Sequence, residues 1–163
     1  MRAIDIPVAH TPDGGWHGDM PAPILAACTE PLTPQAADLR GIWRAYKVER
    51  DGELLGEHPL QRHVERIEQC GNRIVITAGR VIHDMRADGT LEHGVNDVLE
   101  ADLKTKIQVA ALFKNERLEL HPGGYDPARP ALVAREIIGG ELIWNYAVFK
   151  VTLRRMDPSG GQL

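Results

Sequence analysis

The sequence lacks most of the marks of familiar chemistry. It has two cysteines, Cys28 and Cys70, with no C-x-x-C pair and no zinc-type Cys/His array. Read alone they are reduced structural thiols, with no redox or metal role. No apolar run approaches the roughly 18 to 20 residues of a membrane span. Arg2, Asp5 and His10 interrupt the stretch where a signal peptide would be apolar. These absences predict a cytoplasmic protein with no membrane partner. Positive charge is not in excess: 19 Lys and Arg stand against 23 Asp and Glu for a net charge of -4, and no basic run is longer than Arg154-Arg155. Nucleic acid is therefore a poor partner. There is no phosphate-binding glycine loop after a strand, no Gly-x-Ser-x-Gly elbow, and no His-x-His or His-Glu-x-x-His spacing. Nucleotide, serine-hydrolase and zinc-protease chemistry fall away, and the expectation is a protein with no metal and no cofactor. At 163 residues the chain has room for one core, which excludes a separate cofactor domain.

What is present divides into an arm, a strand-rich body and a tail. Residues 1–38 hold Pro7, Pro12, Pro21, Pro23, Pro31 and Pro34 with Gly14, Gly15 and Gly18, a density that no regular helix or strand tolerates. Within this extended arm, Trp16, Met20 and the run Ile24-Leu25-Ala26-Ala27-Cys28 are apolar. The arm is expected to pack on the body or on a second copy of the chain in a homodimer, because such a stretch is not left in water. From residue 39 to 156, β-branched and aromatic runs alternate with compact turn signals. Strands are expected over about 41–50, 60–70, 73–87, 90–101, 105–115, 117–121, 131–138 and 141–156. Asp51-Gly52, Gly71-Asn72, Asp88-Gly89 and Gly139-Gly140 supply the positive φ of tight hairpins between them. A turn at Pro34–Leu39 and a stretch at Glu100–Lys104 are the two helical candidates. The fold class this predicts is all-β, an antiparallel up-and-down barrel of about eight strands. Residues 157–163 read as a flexible tail.

Leu39-Arg40-Gly41-Ile42-Trp43 opens the first strand and Arg154-Arg155 ends the last. In this the chain resembles the calycin superfamily, the lipocalins and fatty-acid-binding-protein-like barrels. The first strand of those barrels carries Gly-x-Trp, and a basic residue from the last strand crosses the Trp at the closed end. The resemblance carries over to Gly41, Trp43 and either Arg154 or Arg155. It implies a small hydrophobic ligand held inside the barrel.

Reading Gly71-Asn72 and Asp88-Gly89 as two-residue turns places Asp84 opposite His93, Arg80 between His63 and Asp97, and Ile67 beside Ile76. By the period of two, His63, Glu65, Arg80, Asp84, His93 and Asp97 then share one face with Ile67, Ile74, Ile76, Ile82, Val95 and Leu99. The opposite face carries Arg62, Arg66, Glu68, His83, Glu92 and Asn96, and looks solvated. A shift of one residue would exchange His93 for His83. A polar set inside an apolar barrel suggests three functions. One is a cofactor-independent lyase, isomerase or hydrolase, with His93 as acid or base, Asp84 orienting it, Arg80 anchoring an oxyanion and His63 beside them. Asp97, Glu65, Tyr46, Trp144 and Tyr146 would line the substrate. The alternative is a non-catalytic carrier or sensor of an apolar ligand, and the third is a haem-binding barrel with a histidine on iron. The long loop His121–Pro130 would cap the mouth.

Overall fold

Period-two alternation between short turns builds one antiparallel sheet in the computed structural model, which describes residues 1–156. The tail expected at 157–163 lies outside the described residues. The strands are β1 (Gly41–Arg50), β2 (Glu53–Leu54), β3 (Val64–Cys70), β4 (Arg73–Ala78), β5 (Val81–Arg86), β6 (Val95–Leu99), β7 (Asp102–Lys114), β8 (Arg117–Pro122), β9 (Val133–Ile138), β10 (Glu141–Tyr146) and β11 (Phe149–Met156). Each pairs with its sequence neighbour except at two places. β1 lies between β3 and β11, joining the start of the sheet to its end, while β5 and β6 form the two free edges. The sheet therefore curls into a nearly closed all-β barrel, with a seam between β5 and β6 where no ladder runs.

Four sequence expectations need correction here. The stretch 73–87 is two strands, because Gly79 and Arg80 both take positive φ (55° and 71°) and form a tight turn. The stretch 141–156 is also two strands, turned at Ala147 (φ 53°) and Val148. The chain therefore has more strands than the eight expected. Asp88-Gly89 is not a two-residue hairpin, since β6 begins only at Val95. The helical candidates also fail: a turn occupies Pro34-Gln35, and β7 starts at Asp102.

One end of the barrel is sealed. Trp43 is fully buried, donates from Nε1 to the Leu39 carbonyl at 2.9 Å, and lies 4.3 Å beneath the Arg155 guanidinium. That guanidinium also bonds the Arg40 carbonyl and fills the space where a side chain on Gly41 would stand, 2.3 Å from Nη1. Gly41 (φ 146°) has a backbone conformation that favours glycine, and a side chain there would displace the Arg155 guanidinium. Above this seal the interior is filled by Ala45, Val48, Ile67, Ile74, Ile76, Met85, Val95, Leu118, Leu142, Trp144, Val151 and Leu153.

Residues 1–38 run over the outer face of β3–β5. Leu25 packs with Cys70, Val75 and Ile82, flanked by Ile6, Ala9, Trp16, Ile24 and Cys28. Glu68 accepts from the Ile24 and Leu25 amides at 3.1 and 2.8 Å. The buried Arg73 donates to the carbonyls of Ala3, Ile6 and Pro7. The reading of Cys28 and Cys70 as reduced thiols is overturned: they form a disulfide, with Cα atoms 6.2 Å apart, that fixes the arm to the end of β3. Neither cysteine carries a local motif, because their pairing depends on how the arm folds back.

Candidate functional site

Inside the barrel, β3, β9 and β10 bring a polar set together. Glu65 on β3 is fully buried and accepts from Arg135 on β9 through Nε at 2.8 Å and Nη2 at 3.1 Å. His63, two residues earlier and so on the same face, donates from Nε2 to Glu65 at 2.7 Å. Burial pushes the Glu65 carboxyl up, but Arg135 and His63 outweigh it and hold the pKa down at about 2. Glu65 is thus an ionised acceptor throughout the neutral range and cannot serve as a base there. Trp144 on β10 forms the wall beside them. Its ring lies 4.5 Å from the His63 ring and 4.9 Å from the Arg135 guanidinium. Tyr146 continues the wall toward the open end, 5.1 Å from Trp144. The indole Nε1–H of Trp144 is buried and has no hydrogen-bond partner among the described residues.

Among the expected site residues, His63, Glu65, Trp144 and Tyr146 occupy this interior wall. Arg80, Asp84 and His93 do not. The turn at Gly79-Arg80 reverses the parity of β5, so Ile76 lies opposite His83 and Val75 opposite Asp84. Arg80 sits in that turn on the outside, bonded to the Gly14 carbonyl. Asp84 faces outward beneath the arm, held by Arg73 at 2.8 and 2.6 Å and by the Ala9 amide at 2.9 Å. His93 lies before β6, 38% exposed, with Nδ1 2.5 Å from Asp88 rather than from Asp84. The expected His93–Asp84 pair is not formed. Tyr46 is also outside, alternating with the inward Trp43 and Ala45; its hydroxyl bonds Glu141 at 2.7 Å beneath Arg154. His83 is the histidine on the inner face of β5. It donates from Nε2 to the Val98 carbonyl across the seam at 2.8 Å, and burial keeps its pKa below the ordinary histidine value.

Asp97 stands at the seam. It accepts from the Thr11 amide at 2.9 Å and lies 3.4 Å from His10. Asp84, His93 and Asp97 do meet, but around a different space. With Arg73, Met85 and Arg86 they line a cavity of about 240 Å³ between β5 and β6, roofed by Val8, Ala9 and His10 of the arm. Among the described residues no group of three or more His, Cys, Asp or Glu is placed to hold a metal ion.

Sequence reasoning missed Arg135 and Arg73. A signal for Arg135 existed: it alternates with Val133 and Ile137 on a strand whose apolar residues face inward. Arg73 had none, since its partners are backbone carbonyls of the arm and Asp84, which it meets only through the turn at Gly79-Arg80.

The sequence matches no family model and no curated protein. Among solved structures, human cRBP IV, a cellular retinol-binding protein, is similar, with a TM-score of 0.47 and 20% identity over 74% of this chain and 99% of that one. No helix among the described residues is long and apolar enough to cross a membrane. The barrel sets its first and last strands side by side and stacks Arg155 over Trp43 at the sealed end.

Proposed function

We propose that this protein is a non-catalytic binding protein for a small, largely apolar molecule that carries one hydrogen-bond acceptor, a carbonyl or carboxylate oxygen, seated against Trp144, His63 and Arg135. The unpartnered Trp144 Nε1–H carries this reading. A buried donor left without a partner costs about 1–3 kcal/mol, so such a group marks a place where an acceptor belongs. Arg135 adds to it: Glu65 takes the Nε–H and one N–H of Nη2, which leaves the second N–H of Nη2 and the two of Nη1 as donors. The rings of Trp144 and Tyr146 offer the apolar wall.

A catalytic role has less support. Proton transfer near neutral pH needs a group poised near that pH. Glu65 is far below it, Asp84 is consumed by Arg73 and Ala9, and His93 sits on the outside with Asp88. Titration with a matched set of medium-chain carboxylic acids, aldehydes and alkanes, followed by tryptophan fluorescence, tests the reading. The acids or aldehydes should bind and change the emission, while alkanes of equal length bind more weakly. Equal affinity for alkanes would overturn the assigned acceptor contact.

A further inference from the structure

The seam between β5 and β6 is the weakest part of the barrel wall, and the arm is what closes it. The edges are bridged at one end by the Arg86 amide donating to the His93 carbonyl at 2.8 Å, and by His83 reaching Val98. Beside these contacts the arm bonds to both edges. The Thr11 hydroxyl accepts from the Ile82 amide at 2.9 Å, while its own amide donates to Asp97 on the other edge. Ala9 donates to Asp84 in the same way. The cavity beneath Val8–His10 has Met85 in its wall, and Met85 also belongs to the inner core. Met85, a flexible, unbranched side chain, is thus shared by the seam cavity and the inner core.

The arm is tied down at a point that chemistry can undo. Cys28 is bonded to Cys70, the last residue of β3. The next residue, Thr29, donates its amide to the Met1 carbonyl at 3.2 Å, so the crosslink fixes the start of the chain as well. From there Arg73 grips Ala3, Ile6 and Pro7, immediately ahead of the residues that roof the cavity. The arm's other ties are the two amides that Glu68 accepts, single hydrogen bonds and apolar contacts, each reversible in a local opening.

We propose that the arm is a redox-latched gate over a side entrance to the barrel, with the seam cavity as its vestibule and the Cys28–Cys70 disulfide as its latch. The gate rests on the reading that the interior takes a ligand. A dithiol reductant opens it. Its thiolate attacks the Cys28 sulfur, the less buried of the two, and Cys70 leaves as thiolate and is protonated. The second thiol of the reductant then displaces Cys28. The reductant ends as a disulfide and the protein as two thiols, with two electrons and two protons transferred. The freed arm withdraws Thr11 and Ala9 from the seam, and Met85 can swing aside.

The test compares the oxidised protein, the same protein in dithiothreitol, and Thr11→Ala left oxidised. Amide exchange at Ala9 and Thr11 reports the arm; stopped-flow uptake of 1-anilinonaphthalene-8-sulfonate reports access. Reduction should speed amide exchange and raise the association rate by about tenfold or more. Thr11→Ala should raise the association rate while the disulfide stays intact. Unchanged amide exchange on reduction would show that the disulfide is no latch. Faster exchange with an unchanged association rate would show that the arm is no gate. If the dye is taken up in no state although the arm opens, the binding reading itself fails and the gate with it. The Cys28→Ser/Cys70→Ser protein should match the reduced one; if it fails to fold, the dithiothreitol and Thr11→Ala arms still decide.

Discussion

Arg135 reaches across the barrel to Glu65 and holds both of its carboxylate oxygens, although their strands, β9 and β3, are not neighbours in the sheet. The contact therefore crosses the interior. A buried ion pair of this kind gains little over apolar packing, but breaking it is costly because the survivor is left unpaired. It fixes the orientation of Arg135 and His63 toward the Trp144 wall, which is the arrangement a binding site needs.

Stability should fall in acid because of Glu65. Its folded pKa is depressed from 4.5 to about 2, so its contribution is present above the unfolded value and is lost as pH falls from about 4.5 toward 2. The difference corresponds to roughly 3 kcal/mol. Urea unfolding of the wild type should show that loss over this interval. Glu65→Gln should show a smaller pH slope and, at pH 7, a destabilisation of about 3–5 kcal/mol from the unpaired Arg135. Identical slopes in the two proteins would exclude this role for Glu65.

Arg73 and Asp84 make a second prediction. Arg73→Met removes the charged partner of Asp84 and the side-chain donor to the carbonyls of Ala3, Ile6 and Pro7. A loss of about 3–5 kcal/mol is expected. Arg73→Met/Asp84→Asn should lose clearly less than the sum of the two single changes. Additive losses in denaturant midpoints would mean that the pair is not coupled.

The disulfide should stabilise the oxidised protein. Closing the chain between residues 28 and 70 contributes on the order of 2–4 kcal/mol in the chain-entropy picture. Cys28→Ser/Cys70→Ser and the wild type in dithiothreitol should lose the same amount in thermal or urea unfolding. A double variant as stable as the oxidised wild type would count against the crosslink.

Much of the barrel can be read from the sequence because alternation and glycine-bearing turns are local signals. Gly71-Asn72 gives the true register, with Ile67 opposite Ile76. The reading of the site fails one hairpin later, at Gly79-Arg80. Gly79 is the turn's one local signal, and arginine rarely takes the φ of 71° found beside it; missing the turn exchanges the two faces of β5. Asp84 then appears inside and His83 outside, the reverse of the structure. The arm's pairings, Arg73 with three carbonyls and Cys28 with Cys70, join residues far apart in sequence and follow no period. Those pairings can be found only in the folded chain.

Trp144 gives the most discriminating prediction. Replacing it by Phe keeps an aromatic ring against His63 and Arg135 while removing the unpartnered Nε1–H. In the empty protein the change should cost little, because the lost ring area is offset by relief of a buried donor without an acceptor. With ligand, the same change removes a hydrogen bond and should weaken binding of an acceptor-bearing molecule by about 1 kcal/mol, roughly fivefold in Kd. Its effect on an alkane of equal length should be much smaller. His93→Ala should leave both affinities unchanged, since His93 lies outside with Asp88. Calorimetric titration of the two variants decides the matter. If His93→Ala weakened binding and Trp144→Phe did not, the ligand would belong to the seam cavity and not to the inner wall.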